Sequence, residues 1–410
     1  MNLSFFIARR YMVRHKGAFA SFIIRLAIVA TALSVAVMIV SIGFTTGFKH
    51  AIQDKMFGFM GHVHIVLRDE AERMVTTAPV KGDPKMADEI RHMPQVMSVS
   101  PYIIKPAIVH GNGEMEAPLL KGVDTSYHFE SGVSLSGRPI NFSDTGYSKQ
   151  IVLSQTIADR LNVKTGDTVE LYFPEAGSMF PRIRKTKIVG IYHTGFDEID
   201  KTFALCDLRM LRRLNDWQAD DITGYQVNLY HYNDADTVAN TIYNKLLPPA
   251  SPLASYTLKE INRNTFDWLE LQDVNVVILL VIMSVVAIIN MSAVLLILMV
   301  DRARLIGLMK ALGLASNSIR NIFLGIAGII GTSGIVLGNA IGIGLCLLQE
   351  QTGFITLPES IYGMSHAAVR IVWWEVLLID IVTLTVCILC MALPALYIRR
   401  VSPAKVLEFK

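Results

Sequence analysis

Four long runs of apolar residues constrain this chain more than any other feature of its sequence. They cover Leu26–Gly47, Val274–Val300, Ile322–Leu348 and Val376–Ile398. Asp380, in the fourth run, is the only charged residue in any of them. A helix of about 20 apolar residues crosses the hydrocarbon core of a bilayer. The runs therefore predict four transmembrane helices, one before and three after a long intervening segment. A cleaved secretion signal is the alternative for the first run, but the apolar part of such a signal is shorter, about 7–15 residues.

The composition agrees with a membrane protein. Hydrophobic residues make up 52% of the chain and charged residues only 18%, whereas soluble domains carry about 25% charged residues. The net charge of +3 is too small to indicate nucleic-acid binding. Of the four cysteines, only Cys206 lies outside the apolar runs, so no disulfide framework is predicted. Cys387-x-x-Cys390 has the spacing of a redox motif, but inside an apolar helix we interpret it as two small packing residues.

The distribution of basic residues predicts the orientation of the chain. Lys and Arg concentrate before the first run, between the second and third runs, and after the fourth. The loop between the third and fourth runs has Glu350 and Glu359 against Arg370. Basic residues mark the cytoplasmic ends of membrane helices. Both termini and the middle loop are therefore predicted to be cytoplasmic, with residues 49–272 outside.

The long outer segment is predicted to fold as a mixed α+β extracytoplasmic domain of two subdomains. Two similar strand–helix–strand units, at about 60–108 and 222–262, indicate one discontinuous subdomain. Asn233 and Asp234 offer oxygens that could cap the helix of the second unit. Short strands and turn glycines over about 109–216 indicate an inserted β-rich subdomain.

The polar residues and glycines of the apolar runs predict packing more than chemistry. Asp380 lies close to a tryptophan pair and is expected to reach the outer interface, with a role in ion relay as the alternative. Asn290 and Asn339 are expected to form hydrogen bonds between helices. A small-residue face, which permits close approach of helices, is formed in the third run by Gly331, Gly334, Gly338 and Gly342.

The sequence indicates no catalytic site, metal site or cofactor. The histidines lack metal-ligand spacing, and the phosphate-binding pattern G-x-x-x-x-G-K-[ST] does not occur. Asp197, Glu198 and Asp200 cluster next to Gly195, where we interpret them as the cap of a turn. The chain is therefore predicted not to be an enzyme, and not to bind ATP itself.

One loop of the outer segment has the residue types of an interface. The segment Phe173–Arg184 lies between two strand-like segments. Its candidate binding residues are Met179, Phe180, Pro181 and Arg182. Aromatic residues, Met and Arg are enriched in the cores of protein interfaces. The pattern favours a partner-binding hairpin, and the alternative is an ordinary loop whose apolar residues fold back.

A short amphipathic helix is predicted between the second and third runs. Leu305, Leu308, Met309 and Leu312 recur at helical spacing, and Gly313 can end the helix. An apolar stripe on a cytoplasmic helix requires a surface to dock on.

These features together resemble the FtsX-type ABC permeases. The segment Arg304–Gly313 resembles their coupling-helix signature, and Pro394–Leu407 resembles their C-terminal signature. Five further segments are similar to the LolC/LolE lipoprotein-release permeases of that family: Phe6–Tyr11, Gly47-Phe48, Lys121–Asp124, Val189–Ile191, and Gly195-Phe196 with Asp200. The resemblance covers the whole chain in order. It departs at 304–307, where many members carry an acidic residue.

The resemblance implies a permease subunit of an ABC transporter. Such a subunit extracts lipoproteins from the outer leaflet of the cell inner membrane and passes them to a periplasmic carrier, and ATP is hydrolysed on a separate chain. The implied partners are two copies of an ABC ATPase, a second permease that is identical or related, a lipoprotein, membrane lipids and a LolA-like chaperone, with no nucleic acid. The alternative is an FtsX- or MacB-like permease that transmits a signal across the membrane or drives export of another substrate.

The resemblance also implies roles for individual residues. Coupling to the ATPase is assigned to Arg304, Leu305, Leu308, Met309 and Leu312. A substrate cavity that acyl chains enter sideways is assigned, from depth in the membrane, to Met38, Phe44, Phe48, Trp268, Leu271 and Leu279. The Phe173–Arg184 loop matches the family's chaperone-docking hairpin in position.

The predicted organisation of the whole chain follows from these assignments. In order, it is a cytoplasmic amphipathic N-terminal helix (1–25), the first transmembrane helix (26–48), the extracytoplasmic domain (49–272), the second transmembrane helix (273–300), the cytoplasmic coupling helix (301–317), the third transmembrane helix (318–348), an outer loop (349–372), the fourth transmembrane helix (373–398) and a cytoplasmic tail (399–410).

Overall fold

The structure, a computed structural model, describes residues 18–68, 79–129, 132–174, 180–248, 251–301, 303–357, 364 and 366–390. The chain divides into two compact units. The helical unit comprises residues 1–49, 269–355 and 366–410, and the sheet unit comprises residues 50–268 and 356–365.

The described elements are eleven α-helices and fourteen strands, with two further short helical turns. The helices are α1 (Ala18–Met60), α2 (Pro84–Arg91), α3 (Gln155–Arg160), α4 (Asp197–Thr202), α5 (Leu208–Leu214), α6 (Ala235–Thr241), α7 (Leu258–Ile261), α8 (Arg263–Asp301), α9 (Ala303–Ala311), α10 (Ser316–Thr352) and α11 (Trp373–Leu389). The strands are β1 (Val63–Leu67), β2 (Val80–Lys81), β3 (Val96–Pro106), β4 (Ile108–Gly111), β5 (Glu114–Glu116), β6 (Leu119–Val123), β7 (Ser134–Gly137), β8 (Gln150–Ser154), β9 (Thr168–Phe173), β10 (Arg182–His193), β11 (Phe203–Asp207), β12 (Asp221–Ile222), β13 (Gly224–Leu229) and β14 (Leu253–Thr257).

Three of the described helices are long and apolar enough to cross a membrane. The qualifying spans are Ser21–Met60 in α1, Arg263–Asp301 in α8 and Asn317–Thr352 in α10. The fourth predicted transmembrane helix starts at Trp373, as α11 does, but residues 391–398 lie outside the described part of the chain. The number of four transmembrane helices therefore stays a prediction. The predicted N-terminal helix, 1–25, is described only from Ala18, where it is continuous with α1.

Glycines hold α10 against α1 at backbone distance. A Cβ atom added to Gly338 would lie 2.7 Å from the carbonyl oxygen of Ala32 and 2.7 Å from the Cβ of Val35. A Cβ on Gly334 would lie 2.7 Å from the Cβ of Thr31. Only glycine permits this separation, and the predicted small-residue face is confirmed at these positions.

The same helix contacts α11 with another glycine. A Cβ on Gly331 would lie 3.3 Å from the Cβ of Cys387. Cys387 and Cys390 are buried free thiols that pack into the apolar core of the helical unit. This packing agrees with the interpretation of the Cys-x-x-Cys spacing as two small packing residues.

Helix α8 is packed unevenly along its length. Its second half is buried in the helical core through Met291, Leu295 and Met299. Its first half exposes a long apolar face formed by Leu271, Val274, Ile278, Val281, Val285 and Ile289.

The sheet unit is organised around one mixed sheet of twelve strands. The strand order is β14-β1-β13-β3-β6-β11-β8-β10-β9-β4-β5, with β7 paired to β10, while β2 and β12 form a separate pair. The long strand β3 joins the two parts of this sheet. Its residues Val96–Tyr102 pair with β13, and Ile103–Pro106 pair with β6. The predicted mixed α+β domain is confirmed, and its division into two subdomains stays a prediction.

Each part of the sheet has its own apolar core. Helices α2 and α6 cover the part formed by β14, β1, β13 and the start of β3. Helices α3 and α5 contribute Ile157 and Leu211 to the core of the other part. The sequence of α2 shows why such a short helix forms. Pro84 occupies a first-turn position, and the carboxylate of Asp83 accepts hydrogen bonds from the backbone nitrogens of Lys85 and Met86.

The predicted strands and helices of the two similar units correspond to β1, α2, β3, β13, α6 and β14. The prediction that Asn233 and Asp234 cap α6 is wrong. The chain forms a 3₁₀ turn over Tyr232–Asp234, and Asp234 has helical backbone angles, so its side chain makes no cap hydrogen bond. The backbone nitrogen of Ala235 donates to the oxygen of Tyr232, so the preceding turn supplies an acceptor for the start of the helix.

Candidate functional site

The coupling helix is the first candidate site. Helix α9 ends where Gly313 adopts a positive φ of 87°. The backbone nitrogen of Gly313 donates to the oxygen of Lys310 at 3.0 Å, and that of Leu314 donates to the oxygen of Met309 at 3.0 Å. This pair of bonds is a Schellman motif, which requires a left-handed residue after the helix. The predicted role of Gly313 as a helix stop is confirmed.

The faces of α9 differ sharply in exposure. Leu308 is 48% exposed, Leu312 is 77% exposed, and Leu305 and Arg304 are also exposed. Met309 instead packs partly buried against the helical core, next to the buried Ile306. The predicted stripe of four apolar residues is therefore split, with three leucines pointing outward and Met309 pointing inward.

The six residues assigned to the substrate cavity differ in burial, and their assignment stays a prediction. Met38 is buried in the helical core with Val35 and Ile39. Phe48 is buried as well, and its ring stacks on that of Phe44 with centroids 6.4 Å apart. The remaining three residues lie on helix α8, where Trp268 and Leu271 are exposed and Leu279 is half-buried.

A cavity of about 200 Å³ lies in the helical unit between α1, α8 and α11. It is lined by Ile42, Thr45, Thr46, Asp273, Val276, Val277, Glu375 and Leu378. Asp273 pairs with Lys49, whose Nζ lies 2.6 Å from a carboxylate oxygen. None of the six predicted cavity residues lines this space. One feature of the sequence could have pointed to this cavity: Asp273 and Glu375 each lie immediately before an apolar run.

The carboxyl group of Asp380 is hydrogen-bonded to a neighbouring helix. The amide nitrogen of Asn339, on α10, donates to an oxygen of Asp380, on α11, at 2.8 Å. The expected interhelical bond of Asn339 is confirmed. The prediction that Asp380 reaches for the outer interface misses this bond, because the partner lies on another helix. The amide nitrogen of Asn290 has no hydrogen-bond partner in the part of the chain that the structure describes.

The predicted docking loop is a β-hairpin. Strands β9 and β10 pair in antiparallel fashion, with Phe173 opposite Arg182, and residues 174–181 connect them. Met179 lies outside the described residues. Phe180 is 78% exposed, and Pro181 is exposed beside it. The segment that joins the two strands therefore exposes an aromatic ring two residues before β10 begins.

Arg182 holds the base of this hairpin. Its guanidinium donates to the backbone oxygen of Leu214 at 2.9 Å and to the carboxylate of Asp216 at 2.8 Å. These bonds therefore indicate that Arg182 anchors the start of β10. Its role in binding a partner stays a prediction. Phe173 is buried in the core of the sheet unit and cannot contact a partner.

Two motifs of the sheet unit have clear physical roles. Asp200 is buried, and its carboxylate accepts hydrogen bonds from the backbone nitrogens of Thr194 and Gly195 and from the Thr194 hydroxyl. The interpretation of this acidic cluster as a turn cap is confirmed for Asp200. Gly122 lies against α5, where a Cβ would be 2.9 Å from the Cα of Leu208.

Lys121 lies at the centre of a buried polar cluster. Burial lowers the pKa of its amine to about 7. The neighbouring histidines are also kept neutral, because burial lowers the pKa of His62 to about 4 and that of His64 to about 3, with the charge of Lys121 contributing to the latter. Sequence reasoning noted Lys121 only as part of a resemblance. Among the described residues, no group of His, Cys, Asp and Glu could hold a metal ion.

The comparisons with known proteins agree with this architecture. The family model described as MacB-like periplasmic core domain matches residues 26–245, more than half of the chain. The model described as FtsX-like permease C-terminal matches residues 277–403.

Curated relatives align over the full length. The chain is 24% identical over 426 residues to the lipoprotein-releasing system transmembrane protein LolC of Xylella fastidiosa, covering 100% of this chain and 99% of that protein. It is 23% identical over 428 residues to the lipoprotein-releasing system transmembrane protein LolE of Haemophilus influenzae, covering 100% of both. The crystal structure of the periplasmic region of MacB from Actinobacillus actinomycetemcomitans is 13% identical, with 51% of this chain and 95% of that chain covered, and its TM-score of 0.36 is too low to carry an argument.

The predicted resemblance to FtsX-type permeases of the LolC/LolE kind is confirmed by these matches. The chain belongs to the family with a MacB-like periplasmic core domain, and it joins that domain to an FtsX-like permease C-terminal region.

Proposed function

We propose that this chain is a permease subunit of an ABC transporter that extracts lipoproteins from the outer leaflet of the inner membrane and passes them to a periplasmic carrier. The observation that carries the proposal is the full-length similarity to LolC and LolE proteins. It is supported by the position of the sheet unit in the chain, between two long apolar helices. In this proposal ATP is hydrolysed on a separate subunit that is present in two copies, and the lack of a G-x-x-x-x-G-K-[ST] motif in this sequence supports placing hydrolysis on another chain.

The proposed arrangement has four transmembrane helices, cytoplasmic termini and a periplasmic sheet unit of two subdomains. The basic residues beside the apolar runs support this orientation. A second permease, identical or related, completes the membrane assembly. A LolA-like chaperone is the proposed carrier, and the exposed Phe180 at the end of the β9–β10 hairpin supports its docking there.

The mechanism we propose is mechanical. Closure of the ATPase dimer moves α9, whose exposed leucines support docking in a cleft of the ATPase. Because α9 lies between α8 and α10 in the chain, its displacement moves both helices. Lipid-anchored substrate must be pulled from the bilayer against about 0.8 kcal/mol per buried CH₂ group, so extraction requires an energy input.

Reconstitution tests this proposal. The permease and its ATPase would be placed in proteoliposomes with a fluorescent triacylated lipoprotein, and release into solution would be measured with a soluble carrier present. ATP should cause release, and ADP should not. ATP-dependent turnover without any release of lipoprotein would refute the proposed substrate.

The coupling residues have a matched control. The double variant Leu308→Asp/Leu312→Asp should hydrolyse ATP without releasing lipoprotein, since two charges would face the apolar docking surface. The double variant Leu308→Met/Leu312→Met keeps the apolar surface and should retain release. Equal release by the two variants would contradict the docking assignment.

A transmission permease of the FtsX or MacB kind is the second candidate. The matches to the MacB-like periplasmic core domain and to the FtsX-like permease C-terminal region support it. In the reconstituted assay it predicts ATP hydrolysis that responds to a periplasmic partner, with lipoprotein left in the membrane.

A further inference from the structure

A lysine is buried at the point where α1 enters the sheet unit. Lys121 lies on β6 and is 3% exposed. Its Nζ donates to the backbone oxygen of Phe59 at 2.8 Å and to the side-chain oxygen of Gln226, on β13, at 2.6 Å. The amine also lies 4.8 Å from the ring centroids of Phe59 and Tyr127. One side chain thus connects a helix end with two strands.

The acceptor on α1 is a carbonyl that the helix cannot use. The last four carbonyl groups of an α-helix have no donor within the helix. Phe59 is the second-last residue of α1, and its oxygen is satisfied by Lys121 and, at 3.3 Å, by the hydroxyl of Tyr127. Lys121 therefore acts as a side-chain cap supplied by the sheet.

The side chain of Phe59 fixes the same helix end by packing. It is fully buried, with ring centroids 5.2 Å from Tyr192 on β10 and 5.6 Å from Phe203 on β11. The end of α1 is therefore held in two ways, by the buried ring of Phe59 and by the hydrogen bond that the Lys121 amine donates to the backbone oxygen of Phe59.

A lysine is an expensive way to fill this space. Removing an amine from water is unfavourable, and Nζ bonds to a backbone oxygen and an amide oxygen and lies over aromatic rings, all of which are neutral groups. A side chain of similar volume without charge fills buried sites at least as well for stability. The hydrogen bonds of Lys121 are directional, and the geometry that they impose on the end of α1 explains better why a lysine occupies this buried site.

We propose that Lys121 is a positioning residue that fastens the outer end of α1 to the sheet, so that movement of the helix moves the sheet unit. Helix α1 is continuous from Ala18 to Met60 and contains a span long and apolar enough to cross a membrane, so Phe59 lies on the same helix as that span. The inference rests on the proposed function only where it assigns the movement to ATP-driven extraction of lipoprotein.

The test compares Lys121→Met with wild type in the full permease–ATPase complex in nanodiscs. Three quantities are measured: the thermal unfolding midpoint, hydrogen exchange of the backbone amides at residues 57–61, and lipoprotein released per ATP hydrolysed. We expect an unchanged or higher midpoint, at least tenfold faster exchange at the helix end, and at least a tenfold lower ratio of release to hydrolysis.

Two further variants keep the test decisive. Lys105→Met, on the neighbouring strand β3, removes an amine that bonds to Asn215 at the end of α5 instead of to the end of α1, and it should leave all three quantities unchanged. Gln226→Met removes one acceptor of the Lys121 amine. It should change exchange and the release ratio in the same direction by a smaller factor, and it replaces Lys121→Met if that variant does not fold.

The possible failures are separable. Unchanged exchange at the helix end, or a parallel loss of stability and activity with a constant release ratio, would overturn the fastening role. A wild-type complex that hydrolyses ATP without releasing lipoprotein would refute the proposed function alone, because hydrogen exchange still reports whether Lys121 holds the helix end.

Discussion

Substitution of Gly338 by alanine adds a single Cβ atom where α10 packs on α1, and it therefore tests whether the two helix backbones are in close contact there. The added Cβ would lie 2.7 Å from the carbonyl oxygen of Ala32 and from the Cβ of Val35. Both distances are far below van der Waals contact, and a backbone oxygen cannot rotate away. The two helices must therefore separate along the whole row of close contacts that includes Gly334.

The magnitude follows from two opposing terms. Overpacking of a tightly packed site costs about 1–3 kcal/mol. Replacement of glycine by alanine within a helix gains about 1 kcal/mol in conformational entropy. Gly344 lies on the same helix, and a Cβ there would have no neighbour within 4 Å. Gly344→Ala therefore retains the gain without the clash, and the difference between the two variants isolates the clash at about 1–3 kcal/mol.

The assay is reversible unfolding in mixed micelles with increasing fractions of denaturing detergent. Gly338→Ala should unfold at a lower fraction than wild type, and Gly344→Ala at an equal or higher fraction. Gly47→Ala should be worse than either, since its Cβ would lie 2.5 Å from the carbonyl oxygen of Ala368. Equal stabilities of the Gly338 and Gly344 variants would refute the backbone-contact argument.

Three further results are expected. Phe180→Ser should weaken capture of the carrier by about 2 kcal/mol with ATP hydrolysis unchanged, as measured by the Kd of the carrier for the permease–ATPase complex. Acid should destabilise the sheet unit, because His62 and His64 are buried as neutral groups with folded pKa values of about 4 and 3 against 6.5 in the unfolded chain. Their contribution to the free energy of unfolding is complete above pH 6.5 and falls by about 2 kcal/mol for each histidine by pH 5. The thermal midpoint should therefore fall over that range, and a midpoint that does not change with pH would contradict their burial as neutral groups. A cysteine placed at Asp144 should react with an impermeant reagent from outside, whereas one at Arg304 should react only after the membrane is opened, and labelling of the latter from outside would overturn the proposed orientation.

Features set by local sequence were predictable in this protein. Length and apolarity predict the membrane-crossing helices, and a spacing of four residues between glycines predicts the face of α10. The identity of the helix that this face contacts was not predictable. The glycines can be read from the sequence of α10. The residues that they contact, Ala32 and Val35, are about 300 residues earlier in the chain, and nothing in the sequence pairs the two helices.

The rotation of a helix about its axis could not be predicted from the sequence. The cavity residues were selected by depth, which sequence position along a helix determines. Whether Met38 points into the core or into a cavity depends on which helices surround α1, and it points into the core. Met309 shows the same effect, because the Schellman turn after α9 places it and Leu314 against the helical core.

Long-range polar contacts were invisible in the sequence for a related reason. The two acceptors of the Lys121 amine lie 62 and 105 positions away in the chain. No periodicity or local spacing connects them, and a lysine in a strand is normally expected to be exposed. Only the pairing of β6 with β3 and of β3 with β13 brings Gln226 within reach.

The uneven packing of α8 bears on how such a unit could release a substrate. Its second half is locked by Met291, Leu295 and Met299, whereas its first half presents branched aliphatic side chains from Val274 to Ile289. No glycine occurs between these two positions, and the small residues there are Ser284 and Ala287, so the row of glycine contacts seen between α1 and α10 is not repeated here. One part of α8 is fixed by buried side chains, and the other part exposes apolar side chains. The exposed part can change its apolar contacts without disrupting close contacts between helix backbones. That property suits a surface that has to bind fluid acyl chains and then release them, as the proposed function requires.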